Sequence, residues 1–231
     1  MAKRPTRRRS AGEPLVPGGG PSKRHHGQQA RRRVNLPPKR AGGTATPAAA
    51  PAADTTAAGP DLPFRVGHGY DLHRLEPRPP HGRGRPMIIG GVTWDSAAVN
   101  FGPVAHSDGD VLYHAVTDAL LGALGLPDIG QLFPDKAPEN DGRDSAEFLV
   151  AAVQAVAQRG YVVGNLDATV ILEKPKIGPV KQRVRANLAR LLGVPAERVN
   201  IKGKTHEKVY AVGEGLAGEA HAVVLLVRAV G

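Results

Sequence analysis

The chain has 231 residues, no cysteine, and 31 Lys and Arg against 21 Asp and Glu, a formal net charge of +10. Without cysteine there is no disulfide framework and no thiolate, so any metal must be held by His, Asp or Glu. Twelve of the basic residues and only three of the acids lie in residues 1–62, so a nucleic-acid partner inferred from whole-chain charge would rest on that segment alone.

Residues 1–62 are rich in Arg, Pro, Gly and Ala and include the low-complexity run TPAAAPAADTTAA. So little apolar surface cannot offset the entropy of ordering, and a disordered basic tail is expected. Its Met-Ala start, abundant arginine and scarcity of acids resemble an organelle transit peptide. The clusters KRPTRRR, KRHH and RRR equally fit a nuclear address or a polyanion-binding arm. At Pro63 the composition changes, and one domain is expected over residues 63–231. No run approaches the roughly eighteen apolar residues of a membrane-spanning helix, so no membrane partner is expected.

FRVGHGYDLHRL reads as a strand on which Asp71 and His73, two apart, project from one side. After a Pro-, Gly- and Arg-rich loop over residues 76–86, MIIGGVTW reads as a hairpin turning at Gly90 and Gly91. AHSDGDVLYHAVTD, residues 105–118, reads as a loop running into an amphipathic helix, with Ser107 or Asp108 as N-cap and the helix beginning near Gly109. Asp110, His114 and Asp118 recur at i, i+4 and i+8, which sets an imidazole between two carboxylates, an arrangement that fixes the tautomer of a metal-ligating histidine. The alternative is a polar helix face with a lone histidine. Gly125 and Pro127 end this helix and leave Asp128 and Asp135 in a mobile connection.

A second helix is expected over residues 143–158, capped by Asp144 or Ser145, with Phe148, Leu149, Ala152, Val153 and Val156 as its core stripe. YVVGNLDATVILEKPK reads as a strand in which Val163, Leu166, Ala168, Val170 and Leu172 mix one- and two-sided burial, and Pro175 and Pro179 bracket a turn. PVKQRVRANLARLLG is an amphipathic helix with Val180, Val184, Leu188 and Leu191 inward. VNIKGKTHEK begins as a strand and ends in a polar turn. The last run, LAGEAHAVVLLVRAV, is a strand apolar enough to be buried on both faces or in a subunit interface. Strands and helices alternate around one small sheet, an α/β fold or α+β sandwich. No dinucleotide-binding or P-loop glycine pattern is present.

Asp71, His73 and His114 supply three N/O ligands from two rigid elements, the donor set of a catalytic zinc that keeps one position open. Glu207, with Thr205 beside it, offers a harder oxygen for magnesium, which prefers carboxylate plus substrate phosphates. A zinc phosphohydrolase that activates water would use the same three ligands. A basic nucleic-acid-binding protein is the reading from another class, supported by the tail alone and without the interleaved aromatics that stack bases.

The segments GHGYDLHRLEP, IIGGV, AHSDGDVLYHAVTDALLGALGLPDIGQLFPD, GYVVGNLDATVILEKPKIGP and VNIKGKTHEKV, in that order, resemble the 2-C-methyl-D-erythritol 2,4-cyclodiphosphate synthases, most closely their plant-type members, from about Phe64 to the C-terminus. The resemblance implies a single small sheet flanked by helices on one side, in a homotrimer whose sheets face the three-fold axis and whose active sites lie between neighbouring subunits. It implies an enzyme of non-mevalonate isoprenoid synthesis, in the chloroplast stroma, that converts 4-diphosphocytidyl-2-C-methyl-D-erythritol 2-phosphate into the cyclic diphosphate and CMP. Nucleic acid has no place in that chemistry.

By the same resemblance, Asp71, His73 and His114 bind zinc, and Glu207 holds a second cation, magnesium or manganese. His106 and Thr205 stabilise the transition state, with Ser107 beside the phosphate and Leu72 between two zinc ligands. Asp128, Ile129 and Gly130, with Phe133, Pro134 and Asp135, form a flap over the methylerythritol. Leu172, Glu173, Lys174, Pro175, Lys176, Ile177 and Gly178 form the loop that holds cytosine. Lys204 lies near the diphosphate, and His206 stands between Thr205 and Glu207. Asp110 and Asp118 are expected to support the ligands or stabilise the helix. The stretch PRPPHGRGR at residues 77–85 reads as an insertion that adds positive charge and has no role in the resemblance.

Overall fold

The computed structural model describes residues 62–94 and 96–230. The tail expected over residues 1–62 therefore lies, Leu62 apart, outside the described residues.

Five strands form one mixed sheet: β1 (Phe64–Pro77), β4 (Phe101–Pro103), β5 (Tyr161–Ile171), β6 (Val199–Lys204) and β7 (Ala217–Arg228), in the order β4-β1-β7-β5-β6. β7 is central and antiparallel to both β1 and β5, whereas β5 and β6 run parallel. Period-two alternation sets the inner face. Ala220, Ala222, Val224 and Leu226 of β7, Leu166, Ala168 and Val170 of β5, and Ile201 of β6 are buried. A separate hairpin, β2 (Ile88–Ile89) and β3 (Val92–Thr93), turns as expected at Gly90 and Gly91, both at positive φ (57° and 68°).

The inner face is covered by α1 (Val111–Ala123), α3 (Ser145–Gln158) and α4 (Lys181–Leu192). α1 lies across β1 and β7, and two glycines let it come close. A Cβ on Gly67 would stand 1.9 Å from the Ala119 carbonyl oxygen, and one on Gly69 1.9 Å from that of Ala115. Small residues on the facing helix and strands, Ala115, Ala119, Ala220 and Ala222, are all fully buried. In α3 the expected stripe is core, with Phe148, Leu149, Ala152 and Val156 buried and Val153 packed at its edge. Asp144 caps it, accepting from Ala146 N at 2.8 Å.

Several expectations are corrected. The cap of α1 is neither Ser107 nor Asp108 but Asp110, which accepts from Leu112 N (3.1 Å) and Tyr113 N (3.2 Å), so the helix begins at Val111. The same carboxylate also accepts from Gly90 N (2.9 Å) and Gly91 N (2.7 Å), tying the hairpin turn to the helix start. Asp110 is therefore consumed by backbone donors rather than standing beside the His114 ring. The connection after α1 contains one helical turn, α2 (Ile129–Leu132), capped by Asp128 through Gln131 N (2.9 Å). β7 is not buried on both faces within one chain, since Val223 is 43 % exposed. With Phe64, Val66, Tyr70, Leu72 and Val162 it forms an exposed apolar surface on the side of the sheet away from the helices. Among the described residues no helix is long and apolar enough to cross a membrane.

Candidate active site

Alternation along β1 turns Asp71 and His73 to the inner side of the sheet, and α1 brings His114 onto them. The three donor atoms lie within 4.8 Å of one another. His114 Nδ1 is 2.9 Å and His73 Nε2 3.3 Å from Asp71 Oδ2, and the two imidazole rings meet edge to face. The side chains of His73 and His114 are only 14 % and 11 % exposed. Burial pushes the Asp71 carboxyl up, but the hydrogen bond to His114 and the charges of the two histidines outweigh it and hold it below the usual carboxylate range. Burial, reinforced by His114, takes His73 below its ordinary value against the pull of Asp71. For His114 burial acts downward, yet the Asp71 hydrogen bond and charge, with Asp110 and Asp108 beyond, leave it raised.

The other nitrogen of His114 is held by a chain of hydroxyl and carboxylate. Its Nε2 is 2.8 Å from Ser145 Oγ and 3.1 Å from Ser107 Oγ. Ser145 donates its own hydroxyl proton to Asp108 Oδ1, so toward His114 its oxygen can only accept. Nε2 therefore carries a proton, and a metal would take the place of the proton that Nδ1 donates to Asp71 Oδ2. One carboxylate oxygen and two imidazole nitrogens on rigid elements, with the remaining side open to a cavity, fit a divalent cation such as zinc.

That cavity, about 380 Å³, is bounded by the triad together with His106, Ser107, Ile129, Gly130, Phe133 and Asp135. His106 Nε2 lies 3.1 Å from the Ala137 carbonyl. Asp118, the expected second flanking acid, instead accepts from Ile129 N at 2.8 Å and so anchors α2 at the cavity mouth. Phe133 stacks on Phe148, and the Arg143 guanidinium covers both rings. Asp128 and Pro134 do not line the cavity, and Leu72 points to the opposite face of the sheet.

A second cavity, about 500 Å³, is bounded by Leu172, Pro175, Lys176, Ile177 and Gly178 on one side and Lys204, Thr205 and Glu207 on the other. Thr205 Oγ1 donates to Glu207 Oε1 at 3.4 Å. Glu207, Lys208 and Tyr210 all sit at positive φ (49°, 61° and 57°), a concentration of backbone strain where the carboxylate is presented. Glu173, Lys174 and His206 do not line this cavity; His206 lies 3.9 Å from Glu219. Within one chain the two cavities share no residue.

Sequence reasoning missed the parts of Ser145 and Asp108, which it weighed only as helix caps, and of Asn140 and Phe148, which line the first cavity. No spacing rule relates Ser145 to His114, 31 residues earlier, and only the packing of α3 against α1 brings them together.

The sequence model of the YgbB family matches residues 64–227. Among curated proteins, the chloroplastic 2-C-methyl-D-erythritol 2,4-cyclodiphosphate synthase of Oryza sativa subsp. japonica is 55 % identical over 178 residues, covering 77 % of this chain and 76 % of that one. The chloroplastic enzyme of the same name from Arabidopsis thaliana is 54 % identical over 167 residues, 72 % and 68 % of the two chains. Among solved structures, the IspF–CDP complex of Plasmodium falciparum superposes with a TM-score of 0.62 at 35 % identity, covering 72 % of this chain and 97 % of that one.

Proposed function

The chain belongs to the YgbB family, and on that premise we propose that it is a 2-C-methyl-D-erythritol 2,4-cyclodiphosphate synthase. Its substrate is 4-diphosphocytidyl-2-C-methyl-D-erythritol 2-phosphate. A 2-phosphate oxygen attacks the β-phosphorus, the bond from that phosphorus to the oxygen bridging the α-phosphate breaks, and CMP leaves with that oxygen. No water is consumed and no covalent enzyme intermediate is required. The observation that carries this reading is the buried Asp71, His73 and His114 cluster opening on a cavity beside His106 and Ser107, in a chain so similar to named synthases.

Both reacting groups are in one molecule, so the protein's work is to fold the substrate and meet the charge that develops. Asp71, His73 and His114 would hold zinc, and Glu207 magnesium or manganese, which supply Lewis-acid charge to phosphate oxygens. His106, Ser107 and Thr205 orient the phosphates, Lys204 adds charge near them, and Asp128, Ile129 and Gly130, with Phe133, Pro134 and Asp135, close over the methylerythritol. Leu172 through Gly178 hold the cytosine.

Those groups fall in two separate cavities of one chain, which supports a homotrimer in which the triad cavity of one subunit faces the cytosine cavity of its neighbour. The exposed apolar face of the sheet supports packing of the sheets about a three-fold axis. The plant relatives are named chloroplastic, which supports a plastid location, with residues 1–62 as transit peptide and residues 63–231 as the catalytic domain.

The test is product analysis by phosphorus NMR with substrate, zinc and magnesium, His114→Ala alongside. Cyclic diphosphate and CMP should appear together in equal amounts and be lost in the variant. Linear hydrolysis products alone would replace this reading with a phosphohydrolase.

A further inference from the structure

The basic stretch at residues 77–85 is not a free loop. Its backbone is bonded along β1 and β4: Arg78 N to Asn100 O (2.7 Å), Gly84 N to Pro77 O (3.0 Å) and Arg85 N to Pro103 O (2.9 Å). Arg83 closes onto Glu76, donating from Nη2 to Oε1 at 3.0 Å. The fit is close enough that a Cβ on Gly84 would lie 2.1 Å from the Glu76 carbonyl oxygen, and one on Gly102 2.0 Å from that of Arg85. The result is that the Arg85 side chain departs from a fixed point at the edge of β4.

From there its guanidinium spans three acceptors. Nε donates to the Ala105 carbonyl (2.8 Å), and Nη2 donates both to the His106 carbonyl (2.9 Å) and to Asp141 Oδ1 (2.5 Å). The His106 carbonyl also accepts from Gly142 N (2.8 Å), and Asp108 N donates to the Arg143 carbonyl (3.0 Å). The turn from Ala105 to Asp108 is thus held by its backbone, while His106 and Ser107 line the cavity. A planar fork that meets two carbonyls and a carboxylate at once is a task for arginine and not for the point charge of lysine.

We propose that Arg85 is a positioning residue for the phosphoryl transfer, fixing the turn that presents His106 and Ser107 to the substrate. The proposal rests on the function set out above. Arg85 touches none of the three metal-ligating side chains, and its partner Asp141 has a side chain 64 % exposed, so the ion pair itself adds little to stability. Its loss should therefore appear in turnover without a matching loss of metal content.

The experiment measures kcat and KM for cyclic diphosphate formation, zinc stoichiometry and thermal unfolding for the full chain, Arg85→Met, Arg85→Lys and Asp141→Asn. Arg85→Met should lose about tenfold to a hundredfold in kcat, the scale of a small misplacement of reacting groups, with zinc stoichiometry unchanged. Arg85→Lys should recover little of that loss, and Asp141→Asn should stay close to the parent chain. Arg85→Met keeping kcat within about twofold, or losing it only in step with zinc, overturns the proposal. Where Arg85→Met fails to fold, Arg85→Lys decides, since parental kcat in that variant equally overturns it. A parent chain that binds zinc but forms no cyclic product removes the functional reading itself, a failure visible before any variant is compared.

Discussion

The tautomer of His114 is decided by Ser145, whose single hydroxyl proton is committed to Asp108. Ser145→Ala removes the nearer acceptor for Nε2–H and leaves Ser107 Oγ at 3.1 Å, and zinc affinity should fall about tenfold, the low end for groups that orient metal ligands. Competition with a chromophoric chelator reads this directly, and an unchanged affinity would show that packing alone orients the ring. A different residue governs acid behaviour. Burial pushes Asp110 up to about 6, against the backbone donors of Gly90, Gly91 and Tyr113, whereas in the unfolded chain an aspartate titrates near 3.9. Between these values the folded chain keeps a proton that the unfolded chain has released. This group's contribution to stability is therefore complete below about 4, is lost as pH rises to about 6 and is level above that. Urea unfolding from pH 4 to 8 should show that slope in the parent chain and lack it in Asp110→Asn, which should also be less stable at neutral pH because its amide opposes the Gly91 N–H.

At the scale of elements, α2 and the aromatic stack beside it control the mouth of the triad cavity. Asp118 is the peg, through Ile129 N. Asp118→Ala should raise KM more than it lowers kcat, since it loosens α2 and leaves the triad untouched; steady-state kinetics separates the two. The alternation in β1 made Asp71 and His73 legible as a pair, and the helical period placed His114 on α1, so the triad could be assembled from sequence once both elements were assumed to meet. The same period set Asp110 and Asp118 beside the His114 ring, whereas Asp110 stabilises the helix as its cap, one of the two roles expected of it, and Asp118 holds α2. Spacing tells which residues share a helix face, not whether a capping position or a neighbouring turn has already claimed their oxygens. The hairpin was legible because Gly90 and Gly91 both occupy positive φ. The Ser145 and Arg85 contacts were not, because each joins segments whose approach depends on the whole sheet.

For the whole molecule, the outer face of the sheet exposes Val66 (61 %), Phe64 (53 %) and Val223 (43 %), an apolar face of the kind that marks an interaction surface. Under the proposed trimer, Val223→Asp should shift the mass measured by light scattering toward a single chain and abolish turnover, while zinc remains bound because the triad belongs to one subunit. Residues 63–231 alone should retain turnover.

Gly67 and Gly69 carry a consequence for ion discrimination. Asp71 and His73 ride on one rigid body and His114 on another, and the gap between those bodies is the contact of α1 carbonyls with a strand that lacks two methyl groups. A metal site holds its ligand distances to about 0.2 Å, whereas a single methyl at Gly69 must part strand and helix by roughly 1.5 Å to reach ordinary contact. Under the proposed metal centre, the size of cation accepted is gauged by a spacer that contains no ligand, and Gly69→Ala would retune the aperture without altering any atom that would touch the ion.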